Sequence, residues 1–346
     1  MLWKTRSRLM RQLFRLVFLT TLAMSLCSGG AAAGESASSS RRSFPGKKIL
    51  WVDSYHQSYE WTAGIEQGIR RVLQDSGVEL RIVRMDSKRR SSEAQIRGAA
   101  LRIKAEIDAF RPDLMIASDD NAVKYLVVPY LKNTELPVVF CGVNWDASVY
   151  GFPARNVTGM VEVDLVENQV EHLSRYAKGR RVGYLSGDVF TERKIIEYYN
   201  RRFFAGEMKT YLVRTLTDFK EAFLQAQDEV DMLYIYNYSG IADWDAATVE
   251  AFLAEHIRIP TGSHNPFMAP FVLTTLAKDP EEQGEWAADT ALEILGGRAL
   301  TDIPLAQNER GRLIINLKMA QALGVTFPVE TLEAATVIGR EAYGNK

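Results

Sequence analysis

Four histidines, one adjacent pair of aspartates and two cysteines are where catalysis would have to begin in this 346-residue chain. Of His56, His172, His256 and His264, none forms HExxH or another metal-ligand spacing, so no metal site is expected. No GxSxG elbow exposes a serine, no Walker A loop cradles phosphate, and no GxGxxG follows a strand. Asp119-Asp120 supplies two carboxyls, but adjacency alone does not make an acid/base pair. Cys141 closes the apolar run that starts at Pro137 and reads as a small core residue rather than a nucleophile. No catalytic residue and no cofactor is expected. What the chain offers instead is recognition chemistry: aromatic rings, amides and carboxyls gathered in short polar stretches that each follow an apolar run.

Those runs set the architecture. Lys48 to Asp53, Leu80 to Met85, Leu114 to Ala117 and Pro137 to Cys141 read as strands, with helical periodicity between them. The clearest helix runs from Ser92 to Phe110. Ser92 and Gln95 make a capping box, Ile96, Ala100, Ile103, Ile107 and Phe110 make one apolar face, and Pro112 stops it. The second half repeats the rhythm, with strands near 181–185, 210–214 and 232–236 and helices near 165–176, from Thr191, from Asp218, and over 246–256. Such alternation predicts an α/β fold of two doubly wound parallel-sheet lobes with a hinge. Pro and Gly place three crossings at 144–158, 260–270 and 300–312. The first lobe is then 47–143 plus about 268–300, and the second 155–262 plus about 310–346. The helix from Glu281 to Leu295 returns to the first lobe.

In open parallel sheets ligands bind beyond the carboxyl ends of the strands. Read that way, the candidates are Tyr55, His56 and Trp61 after the first strand, Asp119, Asp120 and Asn121 after the third, and Asn144 and Trp145 after the fourth. The second lobe adds Ser186, Asp188, Asn237 and Asn265. Each has a duller role. Asp119, Asp120, Ser186 or Asp188 could cap a following helix. Trp61 fits a helix core face as well as a pocket wall, and His264 reads as a plain loop histidine. Helix N-termini at the cleft would favour a carboxylate, and acids with rings an ammonium, so a zwitterion such as an amino acid suits both. On this reading Trp145→Ala and Asp120→Ala weaken binding and leave thermal stability nearly unchanged.

Residues 1–33 read as a cleavable signal peptide: Lys4, Arg6, Arg8, Arg11 and Arg15, then a short apolar run to Cys27, then Ala31-Ala32-Ala33. Leu26 stands where a lipobox wants a small residue, so no lipid anchor is expected on Cys27. Residues 34–46, rich in Ser and Ala, read as a flexible tether. With 42 basic against 43 acidic groups there is no basic excess for nucleic acid. The expected location is the periplasm, and the single remaining cysteine allows no internal disulfide.

Several stretches resemble the ABC-transporter substrate-binding family with the type I periplasmic-binding fold, the group that includes tryptophan- and tyrosine-binding members. They are Pro137-Val-Val-Phe-Cys-Gly-Val-Asn144, Asn156-Val-Thr-Gly159, Asp231-Met-Leu-Tyr-Ile-Tyr-Asn237, and Asn316-Leu-Lys-Met-Ala-Gln-Ala-Leu-Gly-Val-Thr-Phe-Pro328. Residues 287–297 with Asp302-Ile-Pro304 also fit, and the likeness spans roughly 47–330. Asn144-Trp145-Asp146 stands where such families often have Thr-Asp-Pro. Asp53-Ser-Tyr-His56 is similar to variants fused to sensor kinases. The resemblance implies a two-lobed clamp, not an enzyme, that delivers a small molecule to an ABC permease. The alternatives are a co-receptor for a membrane histidine kinase or chemoreceptor, and an exported hydrolase.

Overall fold

The computed structural model describes residues 43–339, so the signal-peptide segment and most of the expected tether lie outside the described residues. The tether's last residues are not free. The Phe44 amide donates to the Ser76 carbonyl at 2.6 Å, and Pro45 packs against Gly77.

The first sheet takes β1 (Lys48–Asp53), β2 (Glu79–Arg84), β3 (Leu114–Ser118), β4 (Val138–Asn144), β5 (Val157–Glu162) and, from late in the chain, β11 (Ala306–Gln307). Its order is β11-β5-β4-β3-β1-β2, and every pairing is parallel. The central strands are apolar throughout because both faces are covered. Ile49, Trp51, Ile116 and Cys141 face α1 (Glu60–Leu73) and α8 (Pro280–Leu295). The alternate residues Leu50, Val52, Met115 and Phe140 face α2 (Glu93–Phe110). The capping box that the sequence predicts forms at Ser92 and Gln95, and α2 ends at Arg111 in the left-handed conformation, φ 52°. The next helix begins two residues before Asn121, as α3 (Asp119–Ala122), and continues in a wider π-helical coil, Val123–Leu131.

The second sheet takes β6 (Val182–Gly187), β7 (Lys209–Val213), β8 (Met232–Ile235), β9 (Thr261–Ser263), β10 (Thr274–Lys278), β12 (Gly311–Asn316) and β13 (Thr336–Ile338). The order is β13-β12-β10-β9-β8-β6-β7, parallel except where β12 runs against β10. One face carries α4 (Val166–Ser174) and α5 (Phe190–Phe203) over Tyr184, Met232 and Tyr234. The other carries α6 (Leu216–Glu229), α7 (Ala246–His256) and α9 (Leu317–Leu323) over Leu185, Leu233 and Ile235. A short α10 (Val329–Glu333) precedes β13.

Two of the expected crossings move. β5 pairs with β4 from Val138↔Val157 to Asn144↔Glu162, so residues up to 162 stay in the first sheet rather than entering the second lobe at 155. The segment 144–158 is a return loop packed on its own lobe, with Phe152 stacked on Phe140 at 5.4 Å. The chain crosses instead at 163–165. Likewise β9 and the turn after it remain with the second sheet, and β10 pairs with β12, so 268–278 does not belong to the first lobe. That crossing is at Asp279. The remaining one runs through 308–310.

From Asp279 the chain enters α8, which lies against α1 with almost no side chain between the two backbones. A Cβ on Gly284 would sit 2.1 Å from the Ile65 carbonyl oxygen, and one on Gly68 would sit 2.3 Å from that of Glu281. The helix that leaves the second sheet is thereby held on the first.

Candidate functional site

The carboxyl ends of both sheets border one cavity of about 430 Å³. The first lobe contributes Tyr55, Tyr59, Trp61, Asp119, Asn144 and Glu162; the second contributes His264, Asn265, Phe267 and Lys278.

Asp119 is its deepest acid, 1% exposed. It follows β3 at φ 68°, a left-handed conformation that aspartate tolerates better than most residues. This turn lays its carboxyl over β4, where Gly142 is itself at φ 70° and a Cβ would come 2.9 Å from Asp119 Oδ1. The bulge in β4 between Phe140 and Val143 lets the strand pass. Trp61 Nε1 donates to Asp119 Oδ1 at 2.9 Å, while Oδ2 is buried without a protein partner. Burial pushes the Asp119 carboxyl well above the usual carboxylate range, and the charges of Glu162 and Asp53 add to the push. The Tyr55 hydroxyl is pushed up for the same reasons: burial first, then Asp119 and Glu162. At the rim, the Lys88 ammonium lies 4.7 Å from the Tyr55 ring centre and 4.8 Å from that of Tyr59.

A second group of residues at this site was not anticipated from the sequence. Lys278, at the end of β10, reaches Glu162 at 2.6 Å and Asp164 at 2.8 Å. Tyr236 donates to Asp164 Oδ2 at 2.7 Å, and Tyr199 donates to the same oxygen. Burial opposes the Asp164 charge, but the Lys278 ammonium outweighs it, helped by the Tyr199 hydroxyl, and holds this carboxyl well below its ordinary value. Glu162 is pushed up by burial, which Lys278 only partly offsets. Lys278 stays charged: burial would lower its pKa, but Asp164 and Glu162 raise it further. His264 is 2% exposed, and its Nδ1 lies 3.1 Å from the Leu276 carbonyl oxygen. Burial pushes the imidazole pKa down, which favours the neutral ring, and in that form the carbonyl beside Nδ1 makes Nδ1 the nitrogen that carries the proton. Nε2 is then an acceptor, buried and unpartnered. The signal for Glu162 was available, a charged residue closing a largely apolar strand; Lys278 closes a strand that begins with two threonines and gives a weaker one.

Of the sequence candidates, Tyr55, Trp61, Asp119, Asn144 and Asn265 line this cavity together. Asn265 Nδ2 donates to the Tyr236 carbonyl at 2.8 Å. Asp120 is engaged elsewhere: it accepts from Asn144 Nδ2 and from the Tyr150 hydroxyl, each at 2.7 Å, and so ties β3 to β4 and its loop. Asn121 donates to Ser87 Oγ at 2.8 Å, joining two strand-end loops, and His56 Nδ1 sits 3.1 Å from Ser58 Oγ. In the second lobe Ser186 and Asn237 both donate to Glu192. Asp188 pairs with Arg193 at 2.5 Å and Arg214 at 2.7 Å. None of these six, Asp120 included, borders the cavity.

Trp145 departs furthest from its expected place. It sits at φ 59°, with its ring 4.6 Å from Tyr198 and 5.7 Å from Tyr199. It lines a different hollow of about 450 Å³ bounded by both 163–168 and 307–309. Trp145→Ala is therefore expected to lower stability by about 1–3 kcal/mol, the range for losing a packed aromatic pair with part of its buried area. Urea unfolding reads this; an unchanged midpoint would mean that the ring contacts contribute nothing.

Among the described residues, no group of three or more His, Cys, Asp or Glu side chains is placed to hold a metal ion. Nor is any described helix long and apolar enough to cross a membrane.

Solved structures share this architecture. A ligand-free, open substrate binding protein with adhesive properties from Clostridium difficile superposes with a TM-score of 0.66 at 17% identity, covering 85% of this chain and 100% of that one. An ABC domain from Streptococcus pneumonia in complex with L-Trp gives 0.52 at 18% identity, covering 85% and 100%. An ABC transporter solute binding protein from Bradyrhizobium sp. BTAi1 with bound bis-tris gives 0.54 at 15% identity, covering 82% and 87%. At such identities the likeness is one of fold: the two-lobed fold of periplasmic binding proteins. No curated protein matches the chain by sequence. The family model described as ABC transporter substrate binding protein does match, over residues 58–338; that stretch carries every cavity residue except Tyr55, and the chain belongs to this family.

Proposed function

We propose that this protein is an extracytoplasmic receptor that captures a small molecule between its lobes and presents it, chemically unchanged, to an ABC permease. The observation that carries the reading is that one cavity is walled by strand ends of both sheets, so an occupant contacts both lobes and favours their closure. Family membership supports the transport role, and the signal-like residues 1–33 support export. An amino acid or similar small zwitterion fits the charge pattern. Acids lie deep in the cavity, while Lys88 and Arg312 stand exposed at its edge. The pneumococcal structural relative holds L-Trp.

The test is recovery of the occupant. Protein purified without refolding from its native source, then denatured, is expected to release one small molecule near one equivalent by mass spectrometry. Adding that compound back should reduce the radius of gyration in solution scattering. A compound consumed or converted during incubation, or no compaction with any compound, would sink the receptor reading.

A further inference from the structure

We infer that the cavity takes a primary ammonium group, which donates to Asp119 Oδ2 from one lobe and to His264 Nε2 from the other. This rests on the receptor reading above and goes further, because it names the functional group and the two atoms that receive it.

The two acceptors are the starting point. Each belongs to a side chain at least 98% buried, each lacks a protein donor, and both side chains wall the same cavity. Their other polar atoms are spoken for: Asp119 Oδ1 by the Trp61 indole, His264 Nδ1 by the Leu276 carbonyl. Buried acceptors left unpaired are costly, so an occupant that brings N–H groups gains where one without them does not. Charge points the same way: Glu162 and Asp164 already share the ammonium of Lys278, whereas Asp119, pushed up by burial and by the charges of Glu162 and Asp53, has no cation beside it. A cation restores the balance.

The aromatic wall makes the choice of cation a real one. Tyr55, Tyr59, Trp61 and Phe267 could equally suggest a cage for a quaternary ammonium such as a betaine. Two features decide against that. Lys88 already occupies the faces of Tyr55 and Tyr59. A quaternary nitrogen has no N–H, so it would bury both acceptors unpaired, whereas a primary ammonium has three donors to share between them.

The test is calorimetric titration of the full mature chain with matched probes. One set is glycine, the standard L-amino acids other than proline, and putrescine. The other is N,N,N-trimethyl-L-tryptophan, glycine betaine and choline, with indole-3-propionate and glucose as amine-free probes. At least one primary amine should bind, and trimethylating that amine should weaken it a hundredfold or more. Asp119→Asn should weaken the same amine roughly ten- to a hundredfold. His264→Phe, which keeps a ring against Tyr234, should weaken it by a smaller factor, with both variants melting cooperatively. Binding of a trimethylated probe as tight as its amine overturns the inference, as does failure of every primary amine. If glucose or indole-3-propionate binds while all the amines fail, the ammonium site is lost but the receptor reading stands. Full affinity for the amine in both variants would also overturn it, whatever their melting temperatures.

Discussion

Lys278→Ala is expected to lower the free energy of unfolding by about 3–5 kcal/mol, the cost of removing one partner from a buried ion pair. The variant leaves Glu162 and Asp164 facing each other with no cation, while Tyr199 and Tyr236 satisfy only one Asp164 oxygen. The contribution of Asp164 to the pH dependence should change sign with it. In the native chain the Asp164 pKa lies below its ordinary 3.8, so its stabilising contribution is complete above that value and is lost as pH falls through the depressed one. Without Lys278 the folded-state pKa of Asp164 rises above its unfolded value, and that of Glu162, already raised by burial, rises further. The folded protein then binds protons more readily, and stability increases as pH falls from neutrality toward the ordinary carboxylate range. Urea unfolding from pH 7 down to 4.5 reads both effects. A loss below 1 kcal/mol with no change of slope would show that the ion triad is solvated and not a buried unit. The triple variant Lys278→Met, Glu162→Gln, Asp164→Asn should recover much of the loss, because it removes the charges together.

Gly284→Leu is the second large effect, and it should be confined to one lobe. The missing Cβ is what lets α8 lie on α1: even a methyl would meet the Ile65 carbonyl oxygen at 2.1 Å, and backbone cannot rotate away as a side chain can. Overpacking usually costs about 1–3 kcal/mol, and a wedge between two backbones belongs at or beyond the upper end. Amides of α1 and α8 should lose hydrogen-exchange protection while those of β8 and β6 keep theirs. Equal loss in both lobes would mean that the helix pair is not an independent clasp. Gly142→Ala would be a poor substitute for this experiment, because its Cβ strikes Asp119 and confuses packing with binding.

How much of this could be read from the chain follows from where the information sits. Short-range signals were sufficient for the helices. Ser92 and Gln95 fixed the start of α2, and the predicted helix over 246–256 coincides with α7. Sheet membership is a long-range property, and there local signals misled. The Gly151, Pro153 and Asn156 cluster looks the same whether a chain is leaving a lobe or only turning back to its next strand. The actual crossings at 163–165 and Asp279 have no such cluster. Strand-end reasoning likewise found the neighbourhood but not the side-chain assignments. Asp119 and Asp120 are adjacent and chemically identical, yet the left-handed turn at Asp119 sends one carboxyl into the cavity, while the other is taken by Asn144 and Tyr150. Ser186, Asp188 and Asn237 sit at strand ends too, but Glu192, Arg193 and Arg214 satisfy them within their own lobe. The strand β10 was not separated from its surroundings at all, because Thr274-Thr275 dilutes its apolar character, and Lys278 was missed with it.

The crossings are also bonded to one another. The Asn308 side chain accepts from the Val163 amide at 2.7 Å and donates to the Val163 carbonyl at 3.0 Å, as a neighbouring strand would. The amides of Glu309 and Arg310 donate to the Glu282 carboxylate in the first turn of α8, and Arg310 also pairs with Asp279. The three connections thus make a single cross-linked strip. A torsional change in one of them has to be matched in the others or break a bond between them. The sheets are geared to a common axis, and anything that clamps the backbone of one connection from outside sets the angle of the whole molecule without entering the cavity.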